Sequence, residues 1–203
     1  MGIIAANLFL TLDGVYQAPG GTQEDTSGGF EFGGWQAPFD DAASGEAIGA
    51  ELDRIDALLL GRRTYDIFAD YWPRAEGEIA ELFARVPKYV VSTTVGEPSW
   101  AGTTVLRDTA AAGRLREQYD EVHVIGSGDL VQSLLAEDLV HRLTLWLYPV
   151  ALGSGKRLFE HGRTIPSTFR FARPVRAFDG GAVSLVYERA GGVETWDMDD
   201  ELG

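Results

Sequence analysis

Two stretches of this chain share one build: a short apolar or β-branched run that stops at glycine and hands over to a helix-forming segment. They are Leu58-Leu59-Leu60-Gly61-Arg62-Arg63-Thr64 and Val122-His123-Val124-Ile125-Gly126-Ser127-Gly128-Asp129. A strand running straight into a helix is the unit of a largely parallel sheet, since parallel neighbours are joined by crossovers that are usually helical. The N-terminus of such a helix offers unpaired backbone N–H groups and the positive end of the helix dipole, so it suits a phosphate. Glycine at the turn lets the backbone come close to that phosphate. Two turns of this kind in one domain, one carrying Arg62 and Arg63, point to a cofactor with more than one phosphate group.

The rest of the chain fits around them. Residues 3–12 read as a buried first strand ending at the Asp13-Gly14 turn signal. A glycine- and aromatic-rich loop follows over 15–45, long enough to predict a lid or pocket wall. Helices are expected over 47–54, 64–71, 78–85, 110–118 and 130–136, and strands over 57–60, 88–92, 103–106, 122–125 and 142–147. Trp72-Pro73 stops the second helix, because the residue before proline resists the helical region. The end of the chain reads as strand, at 157–159, 168–178 and 182–188, with Asp179-Gly180-Gly181 as a hairpin turn. The expected fold class is α/β: a mixed, mostly parallel central sheet, helices on both faces, and antiparallel strands at the C-terminal edge. One domain spans residues 1–190, and 191–203 form an acidic, flexible tail.

Charge and composition exclude several function classes. A net charge of −14 argues against nucleic acid and against an anionic membrane surface as partners. The absence of cysteine excludes disulfides, thiolate nucleophiles and cysteine-ligated zinc. The apolar N-terminal run reads as a core strand rather than a signal peptide, and no apolar segment approaches the roughly 20 residues of a membrane span, so a cytoplasmic protein is expected.

The residues able to carry chemistry are few. Arg62 and Arg63 stand at a helix start, where the dipole disfavours cations; they either grip a phosphate or pair with carboxylates. Ser92 and Thr93 close a strand and either reach a ribose or phosphate or satisfy a turn. Gly126, Ser127 and Gly128 form a shortened dinucleotide-type loop, with Asp129 suited to capping its own helix. Gly153-Ser154-Gly155-Lys156-Arg157 lacks the spacing of a triphosphate loop and reads as a loop lining a site. His123, His141 and His161 show no metal spacing, and His123 is expected to be a packed, hydrogen-bonded imidazole. Asp13, at the end of a central strand, either orients a substrate or supplies a proton, or else caps its own turn. No metal site and no protein nucleophile emerge, which suits hydride transfer, where the cofactor carries the reaction.

Taken in order, Thr11-Leu12-Asp13-Gly14, Leu59-Leu60-Gly61-Arg62-Arg63-Thr64-Tyr65, Tyr71-Trp72-Pro73, Val91-Ser92-Thr93, Ile125-Gly126-Ser127-Gly128 and Tyr148-Pro149-Val150-Ala151-Leu152-Gly153-Ser154-Gly155 resemble the dihydrofolate-reductase-like family. That family includes the reductase domain of the bacterial riboflavin biosynthesis enzyme, of which the chain resembles a stand-alone relative. The resemblance implies a three-layer dihydrofolate-reductase-like fold, NADPH as cofactor and a homodimer. It implies that Arg62, with Ser92 or Thr93, meets the adenosine 2′-phosphate, and that Gly126 to Gly128 receive the pyrophosphate. It further implies an acidic residue in the helix after the lid, near which Glu46 and Glu51 lie. The chain has neither the length nor the cysteines for the zinc deaminase often joined to such a domain.

These readings converge on an NADPH-dependent reductase, cofactor-bound by Gly61, Arg62, Arg63, Thr64, Ser92, Thr93, Gly126, Ser127, Gly128 and Asp129. It would pass hydride to a small heterocyclic or conjugated substrate, pterin-like or riboflavin-precursor-like, held among Asp13, Tyr16, Trp35, Tyr65 and Trp72. The alternative is a non-catalytic nucleotide- or ligand-binding protein on the same fold.

Overall fold

In the computed structural model, which describes residues 1–160 and 166–197, nine strands form one sheet in the order β4-β3-β2-β5-β1-β6-β9-β7, with β8 also on β9. The strands are β1 (Ile3–Thr11), β2 (Ala57–Gly61), β3 (Lys88–Val91), β4 (Thr103–Leu106), β5 (Glu121–Ile125), β6 (Arg142–Tyr148), β7 (Thr168–Phe171), β8 (Arg176–Ala177) and β9 (Val183–Gly191). The helices are α1 (Ala42–Leu52), α2 (Arg62–Tyr71), α3 (Glu78–Arg85), α4 (Thr109–Gly113) and α5 (Gly128–Ala136). From β4 through β6 every pairing is parallel; β9 pairs antiparallel with β6, β7 and β8. This is the mixed sheet the alternation predicts, antiparallel C-terminal edge included.

Helices cover both faces, and strand alternation decides what each face meets. Ile4, Ala6, Leu8 and Leu10 of β1 and Leu143 and Leu145 of β6 pack with α4 and α5. On the opposite face Leu58 and Leu60 of β2 meet Tyr65, Leu82 and Phe83 from α2 and α3. Further along that face Trp146 and Tyr148 of β6 pack under Val15, Phe30 and Trp35 of the long loop. Between these two clusters the second face is polar: Asn7, His123 and Thr144 are all buried there.

Several boundaries differ from the sequence expectation. Helix α1 begins at Ala42 rather than 47, because Asp41 accepts from the Ser44 N–H at 2.9 Å in a capping box. The helix expected over 110–118 is α4 followed by a 3₁₀ turn at Arg114–Glu117; the change of pitch falls at Gly113, a weak helix former. The strand expected over 168–178 is broken into β7 and β8, and Pro174 in the gap has no N–H to continue a ladder. Residues 157–159 form no strand; Arg157 makes a single bridge to Val15. The loop over 15–45 contains two 3₁₀ turns, at Ser27–Gly29 and Ala37–Phe39. His161 and the tail residues Asp199, Asp200 and Glu201 lie outside the described residues. Among the described residues no helix is long and apolar enough to cross a membrane.

Candidate active site

The C-terminal ends of β2 and β5 and the upper half of β1 open into a cleft of about 1510 Å³, roofed by the loop that follows β1. In an open parallel sheet this end of the strands is where ligands gather.

One half of the cleft is built from the two glycine turns. Neither α2 nor α5 has a side-chain cap at its N-terminus, so their first-turn N–H groups face outward. Ser127 Oγ accepts from the Gly61 N–H at 2.9 Å and ties one turn to the other. A Cβ at Gly61 would stand 3.3 Å from that serine, so glycine is what permits the approach. Gly126 and Ser127 both take left-handed φ, 60° and 58°, which turns the chain sharply from β5 into α5. Gly61, Arg62, Arg63, Thr64, Gly126, Ser127, Gly128 and Asp129 all line the cleft, as does Tyr16 from the roof.

The two arginines diverge. The half-exposed Arg62 guanidinium donates from Nε to Asp66 Oδ2 at 2.7 Å and from Nη1 to Thr94 Oγ1 at 3.0 Å. It thereby spans from α2 to the loop after β3. Arg63 pairs at 3.9 Å with Asp25 of the roof, and Asp25 also binds Lys156. Burial raises the Asp25 carboxyl, but the hydrogen bonds from Lys156 and Ser27 outweigh it and hold it below its ordinary range.

The other half has a polar floor and apolar walls. Asn7, Phe9, Glu51 and Trp146 rise from the sheet and α1, while Phe68, Trp72, Ile79 and Phe83 form the α2–α3 wall. Trp72 stands edge-on to Phe83 at 4.8 Å between ring centroids. Glu51 is buried, accepts from Thr144 at 3.4 Å and from Arg173 at 2.5 Å, and lies 3.5 Å from Arg142. Glu46, the other carboxylate of this helix singled out in the sequence, is exposed and outside the cleft.

Five residues proposed from the sequence lie elsewhere. Asp13 is outside the cleft and braces the loop ahead of Arg157: its carboxylate accepts from Thr11, from the Leu152 and Gly153 N–H groups and from Arg157. Burial raises its pKa, yet those hydrogen bonds prevail and hold it far below the carboxylate range, so it holds no proton to give at neutral pH. Tyr65 is buried in the α2 core, where its hydroxyl accepts from the Ser99 and Trp100 N–H groups at 2.9 and 3.1 Å. Trp35 is a buried pin of the roof, donating from Nε1 to the Gln17 carbonyl at 2.8 Å. Ser92 is likewise buried and accepts from the Thr94 and Val95 N–H groups, which satisfies a turn. Thr93, its neighbour, is exposed and does not line the cleft; Thr94 does.

What the sequence reading missed is the floor. Asn7 sits in an apolar run, and its polarity among Ala5, Ala6 and Leu8 was the available signal. Lys156, in the loop expected to line a site, does line the cleft. His123 is the packed imidazole expected, wholly buried and bonded to Asn7 and Glu121.

Comparison with known proteins bears on this geometry. The RibD C-terminal domain family profile matches residues 3–176. The chain is 28% identical over 146 residues to the uncharacterized protein YyaP of Bacillus subtilis (strain 168), covering 67% of this chain and 75% of that one. Its fold is similar to a protein assigned to riboflavin biosynthesis from Shewanella sp. PV-4, with TM-score 0.70, 20% identity, and 94% and 99% of the two chains covered. It is similar also to a pyrimidine reductase-like protein from Corynebacterium diphtheriae, with TM-score 0.61, 11% identity, and 93% and 92% covered.

Proposed function

Because the chain belongs to the RibD C-terminal domain family, we propose that it is an NADPH-dependent reductase of a small heterocyclic or conjugated substrate. The observation that carries this reading is the joined pair of uncapped helix N-termini, with Gly61 against Ser127, beside an arginine that reaches from α2 to Thr94. A dinucleotide diphosphate fits such a cradle: small residues give it room, and N–H groups and helix dipoles give it favourable charge. The half-exposed Arg62, with Thr94, suits a further phosphate on the ribose. Glycine turns, arginine and hydroxyl are thus the donor set that a phosphorylated nicotinamide dinucleotide requires.

When bound, such a cofactor supplies the hydride. The chain's own part is to bind and orient the two reactants. Phe9, Trp146, Phe68 and Trp72 supply flat apolar walls for a planar acceptor. Glu51 is already ion-paired with Arg173 and placed 3.5 Å from Arg142, which suits orienting a substrate's donor edge. Asp13 is too far below the carboxylate range to serve, so the proton comes from water entering beneath the roof. We further propose that the protein is a homodimer, as the resemblance implies, and that it works in the cytoplasm, as the sequence composition suggests.

The test is a pair of titrations of the purified protein, NADPH against NADH, followed by nicotinamide fluorescence. NADPH binding at micromolar concentration with NADH at least about ten-fold weaker, roughly 1.4 kcal/mol, is the expected result. Binding of neither cofactor overturns the reading. A panel of planar heterocycles then separates a reductase from a binding protein, because only the former oxidises bound NADPH.

A further inference from the structure

At the cleft floor one polar atom has an unmade hydrogen bond. Asn7 is 7% exposed, and its Oδ1 is buried with no partner among the described residues. An orphaned buried acceptor is costly, so a ligand group that satisfies it gains affinity.

Its neighbours decide which end of the amide is orphaned. Asn7 Nδ2 lies 3.1 Å from His123 Nδ1, and His123 Nε2 lies 2.9 Å from Glu121 Oε2. Glu121 also binds Arg54 and Arg142, and with His123 these hydrogen bonds outweigh burial and bring its carboxyl down to about 2. A charged carboxylate only accepts, so His123 carries its proton on Nε2. Burial pushes the imidazole toward the neutral form, which leaves Nδ1 an acceptor. Asn7, which lines the cleft, therefore turns its amide N–H toward His123, and its carbonyl oxygen is the end left without a partner. The alternation of β1 and β5 imposes the pairing: both side chains stand on the polar strip of one sheet face.

We propose that Asn7 is a specificity-determining residue whose side-chain carbonyl accepts a hydrogen bond from an N–H or O–H of the substrate's planar ring, and that His123, held by Glu121, is the positioning residue that keeps the carbonyl facing the cleft. The proposal rests on the reading of this half of the cleft as the substrate site. Trp72 Nε1, the other buried cleft-lining side-chain atom left unpartnered among the described residues, is a donor.

The probes are 2-quinolinone, a planar lactam with one N–H, and N-methyl-2-quinolinone, which lacks it. Each is titrated by intrinsic tryptophan fluorescence against the native protein, Asn7→Leu, His123→Leu and His123→Gln, and NADPH is titrated against all four. The native protein is expected to favour the N–H probe by about ten-fold, the size of one buried hydrogen bond. Asn7→Leu erases that preference by weakening the N–H probe alone. His123→Leu reduces it, whereas His123→Gln, whose amide carbonyl still accepts from Asn7, retains it. A merely structural role for His123 would lower stability in both variants without separating them on this ratio.

A native protein with no preference, or binding neither probe, overturns the proposal, as does a preference that survives Asn7→Leu. If His123→Leu does not fold, the native protein and Asn7→Leu still decide the role of Asn7, and His123→Gln that of His123. The NADPH titration keeps the two readings apart. Unchanged NADPH affinity with no probe preference removes the Asn7 assignment alone, while loss of NADPH binding in the native protein removes the reductase reading.

Discussion

At the scale of single residues, two neighbours in the sequence have opposite tasks. Arg62 and Arg63 are adjacent, yet one reaches across to Thr94 and the other pairs with Asp25 of the roof. Successive helix positions point about 100° apart, so sequence alone leaves open which arginine faces a phosphate. Arg62→Ala is expected to weaken NADPH by about ten-fold or more and to leave NADH nearly unchanged, since only the former carries the ribose 2′-phosphate proposed to meet Arg62. Parallel fluorescence titrations of both cofactors check this, and equal weakening would undo the assignment. Asp13 teaches the converse. The sequence marks it as a carboxylate at a strand end and leaves two roles open. Four donors gathered from Thr11, Leu152, Gly153 and Arg157 show it fully engaged in structure.

At the scale of elements, an aromatic side chain can serve core or cleft depending on where along its helix it stands. Tyr65 and Trp72 are seven residues apart on α2 and its extension, but only Trp72 reaches the cleft. The Tyr65 hydroxyl instead receives two backbone N–H groups of the 99–100 segment, which joins α2 to the loop after β3. Tyr65→Phe leaves those donors without their acceptor. The expected cost is about 1–3 kcal/mol of stability by urea unfolding, with NADPH affinity changed less than about two-fold. A large loss of cofactor or substrate binding at unchanged stability would return Tyr65 to the site. Helix and strand existence was legible from apolar periodicity and glycine stops. Boundaries were less so where a cap such as Asp41 or a break such as Pro174 decided them.

At the scale of the whole molecule, buried ionisable groups link the fold to pH. His123 has its pKa lowered below the ordinary 6.5, mainly by burial, so the unfolded chain takes up a proton first as pH falls. That contribution to stability is present above about pH 6.5 and declines below it. Glu121, lowered from its ordinary 4.5 to about 2, adds a second loss as pH falls through that interval, joined by Asp13 and Asp25 in the same direction. Urea unfolding between pH 7.5 and pH 4 is therefore expected to show stability declining from near pH 6.5, and His123→Gln should reduce the upper part of the decline, leaving the share of His141, which burial lowers in the same direction. A flat profile down to pH 5 would show that the imidazole is not held neutral by its burial.

The sequence by itself determined the sheet and its two glycine turns, because those depend on local chemistry: apolar runs that must be buried on both faces, and glycines that permit a sharp approach. It likewise determined the candidate phosphate cradle, which is a property of strand-to-helix turns wherever they occur. Only the tertiary structure decided the floor of the cleft. Asn7, His123 and Glu51 lie far apart in the chain and meet through strand register and the docking of α1, with Thr144 as the bridge to Glu51. Their roles follow from which partners are already taken, and a one-residue slip of β1 against β5 would turn Asn7 to the opposite face.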